Sequence, residues 1–340
     1  MNRPVSIKDL ARLADVSHST VSRALRNSPL VNSETAEKIQ RLARERGYRA
    51  SLVARSLVTR ETKTIGCVGS SIVDPFVAEV ISGVEDTAHR LGYAVLLANS
   101  NTDPDREIQS VLSFQDRRVD GILVVGSRVG AQYGAHLASL RLPIVLVNNQ
   151  HTATHIHSVM IDNLAAGEAA TNHLVELGHR RIAYIGSTGG QLSDEERMQG
   201  YQAALSDAGI PIDPHLIIRD EGTPAGGERA MNRLRSMPKP PTAVFCYDDL
   251  MSIGACHAIR THNLRIPADI SIIGFDDLFV SQYLSPPLTT MRQPMRRMGG
   301  RAMELLAQLR NGGQPREYVR IKADLIVRSS TGPVPSGHKH

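Results

Sequence analysis

Two trains of short apolar runs, four in each, constrain the fold of most of this chain. The first comprises residues 64–69, 93–98, 121–125 and 144–147; the second comprises 182–185, 216–218, 243–246 and 270–273. Each run is separated from the next by a helix-length stretch of mixed polarity. Strands recurring at roughly 25–30-residue intervals, with helices between them, predict βαβ units in parallel sheets. Two such series predict two similar lobes. Ligands bind these sheets outside the carboxyl ends of the strands, so a cleft between the lobes is the natural place for one. The length of 340 residues suits two or three units. With 41% apolar and 21% charged residues, the composition excludes a disordered, collagenous or disulfide-stapled chain.

The first sixty residues read differently. The chain carries 39 Lys+Arg against 34 Asp+Glu, a formal +5. Twelve of those bases and five of the acids lie in residues 1–60, so the head is +7 and the remainder −2. A compact basic head on a near-neutral body is the electrostatic footprint of a nucleic-acid binder. The plainer alternative is a solvated charged surface.

Within that head the spacing predicts three short helices. Ile7, Leu10, Ala11 and Ala14 share one helical face; Asp15-Val16-Ser17 makes a tight turn, with Ser17 as N-cap of the next helix. Val21, Ala24 and Leu25 form the second stripe. After a loop at 26–29, Ser33 is expected to cap a third helix, with Glu34 near its positive end and Ile39, Leu42 and Ala43 facing inward. Small Ala11, with Val16 and Val21 at the corner, completes a helix-turn-helix pattern. The second helix, 17–26, would then lie in the major groove. Arg23 can make a bidentate contact to guanine, and His18 and Ser19 are base readers. Thr20 and Ser22 are expected at phosphates or as caps, and Ser17 and Asn32 are counted among the DNA contacts. For any one of these side chains alone, ordinary surface exposure is an equal reading.

The stretch SIKDLARLADVSHSTVSRALRNSPLVNSETAEKIQRLARERGY, followed by VARSL and TIGCV, resembles the head of the lactose/galactose repressor family. IDNLAAGEAATNHLVELGHRRIAYIG, PTAVFCYDDLMSIGA, DISIIGFDD, PPLTTMRQP and ADLIVRSS extend the resemblance over nearly the whole chain. It implies an all-α helix-turn-helix head and an α/β two-lobed body, like a periplasmic binding protein, with parallel sheets. The implied divisions are a DNA-binding domain at 1–49, a hinge at 50–60, an effector-binding and dimerisation domain at 61–330, and a disordered tail at 331–340. The near lobe would take about 61–160 and 292–323, and the far lobe about 162–289 and 324–330. Crossings between lobes are expected near 160–162, 289–292 and 323–324. The family's hinge helix, here 52–58, would place Leu57 as a minor-groove wedge, with Ala54 on the same short helix. Where the family usually has Pro-Asn, this chain has Ala50-Ser51, which makes Ser51 the hinge cap. An ordinary core leucine is the plainer reading of Leu57.

Asp276, just after an apolar strand, can accept two sugar hydroxyls, and Arg197 can hold a hydroxyl pair or carboxylate bidentately. Both match effector-binding positions of the family. Asp248 stands where many sugar-binding members carry asparagine; an acceptor there favours a hydroxyl-rich or cationic ligand over an anion, and a helix N-cap is the equal alternative. Asn149, Asp162 and Phe76 are further lining candidates, Phe76 being as readily core. Purine-binding members place a stacking aromatic where this chain has Glu221-Gly222-Thr223, which lowers that ligand class.

The expected protein is therefore a homodimeric transcriptional regulator, a repressor, on a pseudo-palindromic double-stranded DNA operator, controlled by a small carbohydrate-like effector. No enzyme, cofactor, metal ion or membrane partner is expected. The HTATHIH histidines lack metal-ligand spacing, and the adjacent pair Asp276-Asp277 cannot flank a scissile bond. Three scattered cysteines and an opening charged from Arg3 suit a cytoplasmic protein. The tail has no leucine heptad, which favours a dimer. The rival is a cytoplasmic sugar-binding or sugar-modifying α/β protein that its basic head merely tethers.

Overall fold

The computed structural model describes residues 5–48, 61–127, 129, 142–149, 157–313 and 318–335. The chain divides into two compact units, Met1–Thr62 and Lys63–His340.

In the first unit, Ser6 and Asp9 form a reciprocal capping box that starts helix α1, Ile7–Ala14. Asp15 turns the chain in the left-handed region at φ 58°. The Ser17 side chain then accepts the Thr20 N–H and opens α2, His18–Ala24. Helix α3, Ser33–Glu45, is capped by Asn32, whose side chain accepts the Glu34 N–H. The cap is therefore one residue earlier than Ser33, because the amide oxygen of Asn32 reaches the helix start and Ser33 is already helical. Leu10, Ala11, Ala14, Val21, Ala24, Ile39 and Ala43 close a small core. The Lys38 ammonium donates to the Ala14 carbonyl, and Gln40 to that of Ala24, so α3 ties off the ends of the other two helices.

The second unit contains two six-stranded sheets. The first has the order β11-β5-β4-β3-β1-β2, from β1 (Thr64–Gly69), β2 (Ala94–Asn99), β3 (Ile122–Val125), β4 (Ile144–Val147), β5 (His157–Ile161) and β11 (Tyr318–Ile321). The second has the order β12-β10-β9-β8-β6-β7, from β6 (Ile182–Ser187), β7 (Ile217–Asp220), β8 (Ala243–Cys246), β9 (Ser271–Asp276), β10 (Thr289–Arg292) and β12 (Asp324–Ile326). All pairings are parallel except β10 with β12. Both sheets thus repeat one doubly wound order, and in each the first strand is flanked by the second and third. All eight expected strands are present. The run expected at 216–218 starts one residue later, after a short 3₁₀ turn, and that at 270–273 extends to Asp276.

The chain crosses between lobes three times. The crossings come after Ile161, after Arg292 and after Ile321. The second lies at the end of the expected 289–292, because β10 pairs along its whole length with β9 and so belongs to the far sheet.

Helices cover the sheets in close pairs. Helix α4 (Pro75–Arg90) packs on α10 (Met295–Arg310), α6 (Asn163–Glu176) on α7 (Leu192–Asp207), and α8 (Pro224–Arg235) on α9 (Asp249–Thr261). Helix α5 (Pro104–Asp116) lies against β1 and β2. Each close pair meets through a glycine from each partner: Gly83 and Gly299, Gly167 and Gly200, Gly227 and Gly254. A methyl group built at Gly254 would overlap the Pro224 carbonyl. Gly254→Ala should therefore force α8 off α9 and cost about 2–3 kcal/mol, read as a lowered midpoint in thermal or denaturant melts. An unchanged midpoint would mean the crossing relaxes freely.

The expected disorder from residue 331 is corrected for 331–335. Thr331 Oγ1 lies 2.9 Å from His173 Nε2, the Gly332 carbonyl accepts from His179 Nε2, and the Val334 N–H donates to the Leu177 carbonyl. His179 is fully buried, and its Nδ1 lies 2.9 Å from Thr242 Oγ1. Burial lowers the pKa of both imidazoles. The strap is ordered because the far lobe provides partners for its backbone.

Candidate functional site

The carboxyl ends of both sheets border one cavity of about 340 Å³. From the near lobe come Ser70 after β1, Asp74 and Phe76 at the start of α4, Gly126 after β3 and Asn148 after β4. From the far lobe come Ser187 at the end of β6, Gln191 and Arg197 at α7, Glu221 after β7, Tyr247 and Asp248 after β8, Asp276 ending β9 and Gln293 after β10. The site therefore occupies the crevice that the strand order creates in each sheet.

Arg197 is its centre. The side chain is 2% exposed. Nε donates to Asn163 Oδ1 at 3.0 Å and Nη1 to the Tyr247 carbonyl at 2.6 Å. Its guanidinium carbon lies 3.5 Å from the Phe275 ring centroid and 4.7 Å from that of Tyr247, so aromatic faces shield the cation that they attract. Nη2 is 3.8 Å from Asp276 Oδ1. The close α6–α7 crossing at Gly167 and Gly200 sets this position, because α6 supplies Asn163 and α7 supplies Arg197.

Asp276 has φ 110°, a region that a side chain with a Cβ adopts only under strain. Gln293 Nε2 donates to its Oδ1. Burial raises its pKa well above the ordinary carboxylate range, the Arg197 charge works against that rise, and Asp248 and Asp249 add to it. Asp248 Oδ1 accepts the Met251 N–H to cap α9, and the residue also lines the cavity. Burial pushes its carboxyl up to about 6.

Of the six ligand-contact candidates, Phe76, Arg197, Asp248 and Asp276 come together here. Asn149 and Asp162 do not. The chain leaves β4 through Asn148 at φ 51°, and Asn148 rather than Asn149 borders the cavity. The Asp162 carboxylate instead accepts the Ala165 N–H as cap of α6 and lies 3.6 Å from the Arg320 guanidinium. Sequence reasoning missed Ser70, Asp74, Asn148, Gln191, Tyr247 and Gln293. Their shared signal is position, one or a few residues beyond a strand end or at a helix start. Glu221, Gly222 and Thr223 do line the cavity, with no aromatic ring among them.

In the head, Ser17, His18, Ser19 and Arg23 are exposed, and Thr20 and Ser22 are half-buried on the same short helix. Ser17 Oγ contacts Ser19 Oγ at 2.7 Å and Thr20 Oγ1 at 2.9 Å, and Ser22 Oγ accepts from Arg26. Asn32 is exposed but holds the start of α3. Ser51, Ala54 and Leu57 lie outside the described residues, as do His151 and His155; His157 opens β5. Among the described residues there is no group of three or more metal-ligating side chains, and no helix is long and apolar enough to cross a membrane.

Comparison with known proteins covers both units. Residues 6–51 match the family described as bacterial regulatory proteins, lacI family, and residues 171–331 match the periplasmic binding protein-like domain. The chain is 37% identical over 331 residues to the HTH-type transcriptional repressor CytR of Escherichia coli (strain K12), covering 97% of each. It is 36% identical over 326 residues to the ribose operon repressor of Haemophilus influenzae, covering 96% of this chain and 98% of that one. Among solved structures it resembles the lac repressor dimer bound to operator and the anti-inducer ONPF. There the TM-score is 0.89 and the identity 26%, over 97% of this chain and 100% of the other.

Proposed function

The chain belongs to the lacI family of bacterial regulatory proteins, and on that premise we propose that it represses transcription as a homodimer on a pseudo-palindromic operator, under the control of a small ligand held between the lobes of its body. Both halves of such a device occur in one chain. One is a helix-turn-helix with an exposed reading face; the other is a two-lobed body with a polar cavity bordered by the strand ends of both sheets. The rival reading of a tethered sugar-modifying protein fails, because the similarity to repressors rather than enzymes runs through the head as well as the body.

Arg23 is assigned to guanine in the major groove, with His18 and Ser19 beside it. Ser17, Thr20, Ser22 and Asn32 shape the helix starts and approach phosphates. The hinge at 50–60, with Ser51, Ala54 and Leu57, provides the minor-groove contact. The lac repressor structure, a dimer on its operator, supports binding to DNA as a dimer. Apolar surface on each lobe supports the dimer: Leu97 on edge strand β2 is 51% exposed, and the packed pair Phe279 and Tyr283 is 75% and 67% exposed. The place of action is the cytoplasm, where operator DNA is found. Ligand and operator affinities are coupled reciprocally: whichever way the ligand moves DNA binding, DNA moves ligand binding by the same factor.

A salt titration on selected and random duplexes tests the DNA half. Arg23→Ala should lose about 1–3 kcal/mol of preference for the selected sequence, while weak, salt-sensitive binding to any duplex persists. Equal wild-type affinity for every duplex would defeat the proposal.

A further inference from the structure

The charged side chains that border the cavity are mostly acidic. Four carboxylates border it, Asp74 from the near lobe and Glu221, Asp248 and Asp276 from the far lobe, against the single guanidinium of Arg197. That guanidinium donates to Asn163 and to the Tyr247 carbonyl, and its Nη2 lies 3.8 Å from Asp276 Oδ1. Two further acceptors, Oε1 of Gln191 and Oε1 of Gln293, are buried with no hydrogen-bond partner among the described residues. Their residues are 7% and 4% exposed. A buried amide oxygen without a donor is unfavourable, so a ligand hydroxyl that reached either one would relieve that cost.

Charge sharpens that demand. Asp74 and Asp248 belong to opposite lobes, and the Asp74 charge raises the Asp248 carboxyl. Like charges facing each other across a crevice resist its closing, and a cation between them turns the repulsion into attraction from both sides. An anion would meet four carboxylates against one arginine, which is itself paired with Asp276.

We propose that the cavity selects a polyhydroxylated ligand bearing a positively charged nitrogen, an amino sugar, whose ammonium group bridges Asp74 and Asp248 while its hydroxyls donate to Asp276, Gln191 and Gln293, and that it rejects phosphorylated and carboxylated sugars. This rests on the effector reading above and narrows its chemistry. Binding a cation holds both carboxylates ionised. The charged groups facing them are Arg197 and Asp194 on α7, Asp249 on α9, and Glu221 and Asp276 at the strand ends. With Asp248 titrating at about 6, binding expels protons and tightens as pH rises through that value.

Titration calorimetry on the full chain tests this with matched triplets of amino sugar, neutral sugar and sugar 6-phosphate built on glucose, galactose and mannose. At least one amino sugar should bind about tenfold or more tighter than its neutral counterpart, with no binding of the phosphate. Its affinity should weaken below pH ~6. Asp74→Asn and Asp248→Asn should each reduce the amine preference towards unity. Asparagine caps a helix as well as aspartate, so both helix starts survive. A neutral sugar bound as tightly as its amine, with that binding lost in Arg197→Ala, would overturn the charge preference and leave the effector cavity standing. Binding of a phosphate, or of no member of any triplet, would overturn the ligand class, and the wider ligand screen with Arg197→Ala judges the effector reading separately.

Discussion

Arg197→Ala is expected to abolish ligand binding in the body and to lower its stability together. Three losses coincide at this position. The Tyr247 carbonyl and Asn163 Oδ1 lose their donors, the Phe275 and Tyr247 faces lose the cation packed on them, and Asp276 loses the opposite charge that holds its carboxyl down. Removing one partner from a buried charge network costs about 3–5 kcal/mol. Asp276 can blunt that cost by taking up a proton, which in turn removes its charge from the cavity. In a thermal-shift screen of sugars, amino sugars and nucleosides, compounds that raise the wild-type midpoint by mass action should leave the Arg197→Ala midpoint unmoved. Arg197→Lys should fail to rescue, because an ammonium cannot hold the Asn163 oxygen, the Tyr247 carbonyl and Asp276 with one planar fork. A full ligand shift in Arg197→Ala would place the ligand elsewhere.

The sheet cores were legible because a strand buried on both faces is a continuous Val/Ile run, whatever its neighbours. β10, β11 and β12 have no such signature. TTMR, YVRI and DLI are short and partly polar, and they are strands because a neighbouring strand pairs with them. The site was legible where chemistry marks it and illegible where only position does. Arg197 and Asp276 are conspicuous charges near predicted strand ends and helix starts, whereas Gln293 is an ordinary polar residue before a proline. Asn148 and Asn149 cannot be told apart without the positive φ that breaks the strand alternation. The tail was misread for a related reason: Pro333 and Pro335 suggest disorder locally, and only the fold brings His173 and His179 to meet the strap. The glycine pairs are visible as interior helix glycines, but their partners emerge only from the packing.

Asp249 follows the cavity residue Asp248, and its substitutions should separate the role of its shape from that of its charge. The residue is fully buried. Its Oδ2 accepts the Leu278 N–H and the Ser281 hydroxyl, and its Oδ1 accepts the Thr290 hydroxyl, tying α9 to β10 and the segment after β9. Asp249→Ala orphans all three donors and should cost about 3 kcal/mol or more. Asp249→Asn behaves differently. An amide oxygen can take the place of Oδ2, and the amide nitrogen can donate to the Thr290 hydroxyl. Burial outweighs the three hydrogen bonds and raises this carboxyl to about 7, with the neighbouring Asp248 charge pushing the same way. An unfolded aspartate titrates near ~3.9, so between these values the folded chain holds a proton that the unfolded chain has released. The stability this group contributes is complete below pH ~4, falls as pH rises towards about 7, and is level above it. Asparagine does not titrate. Melts from pH ~4 to ~8 should therefore show Asp249→Asn gaining on the wild type as pH rises, by a few kcal/mol at the top of the range. His173 and His179 titrate in both proteins and cancel from the difference. A gap that stays constant with pH would mean the buried carboxyl is ionised throughout, held so by its three donors.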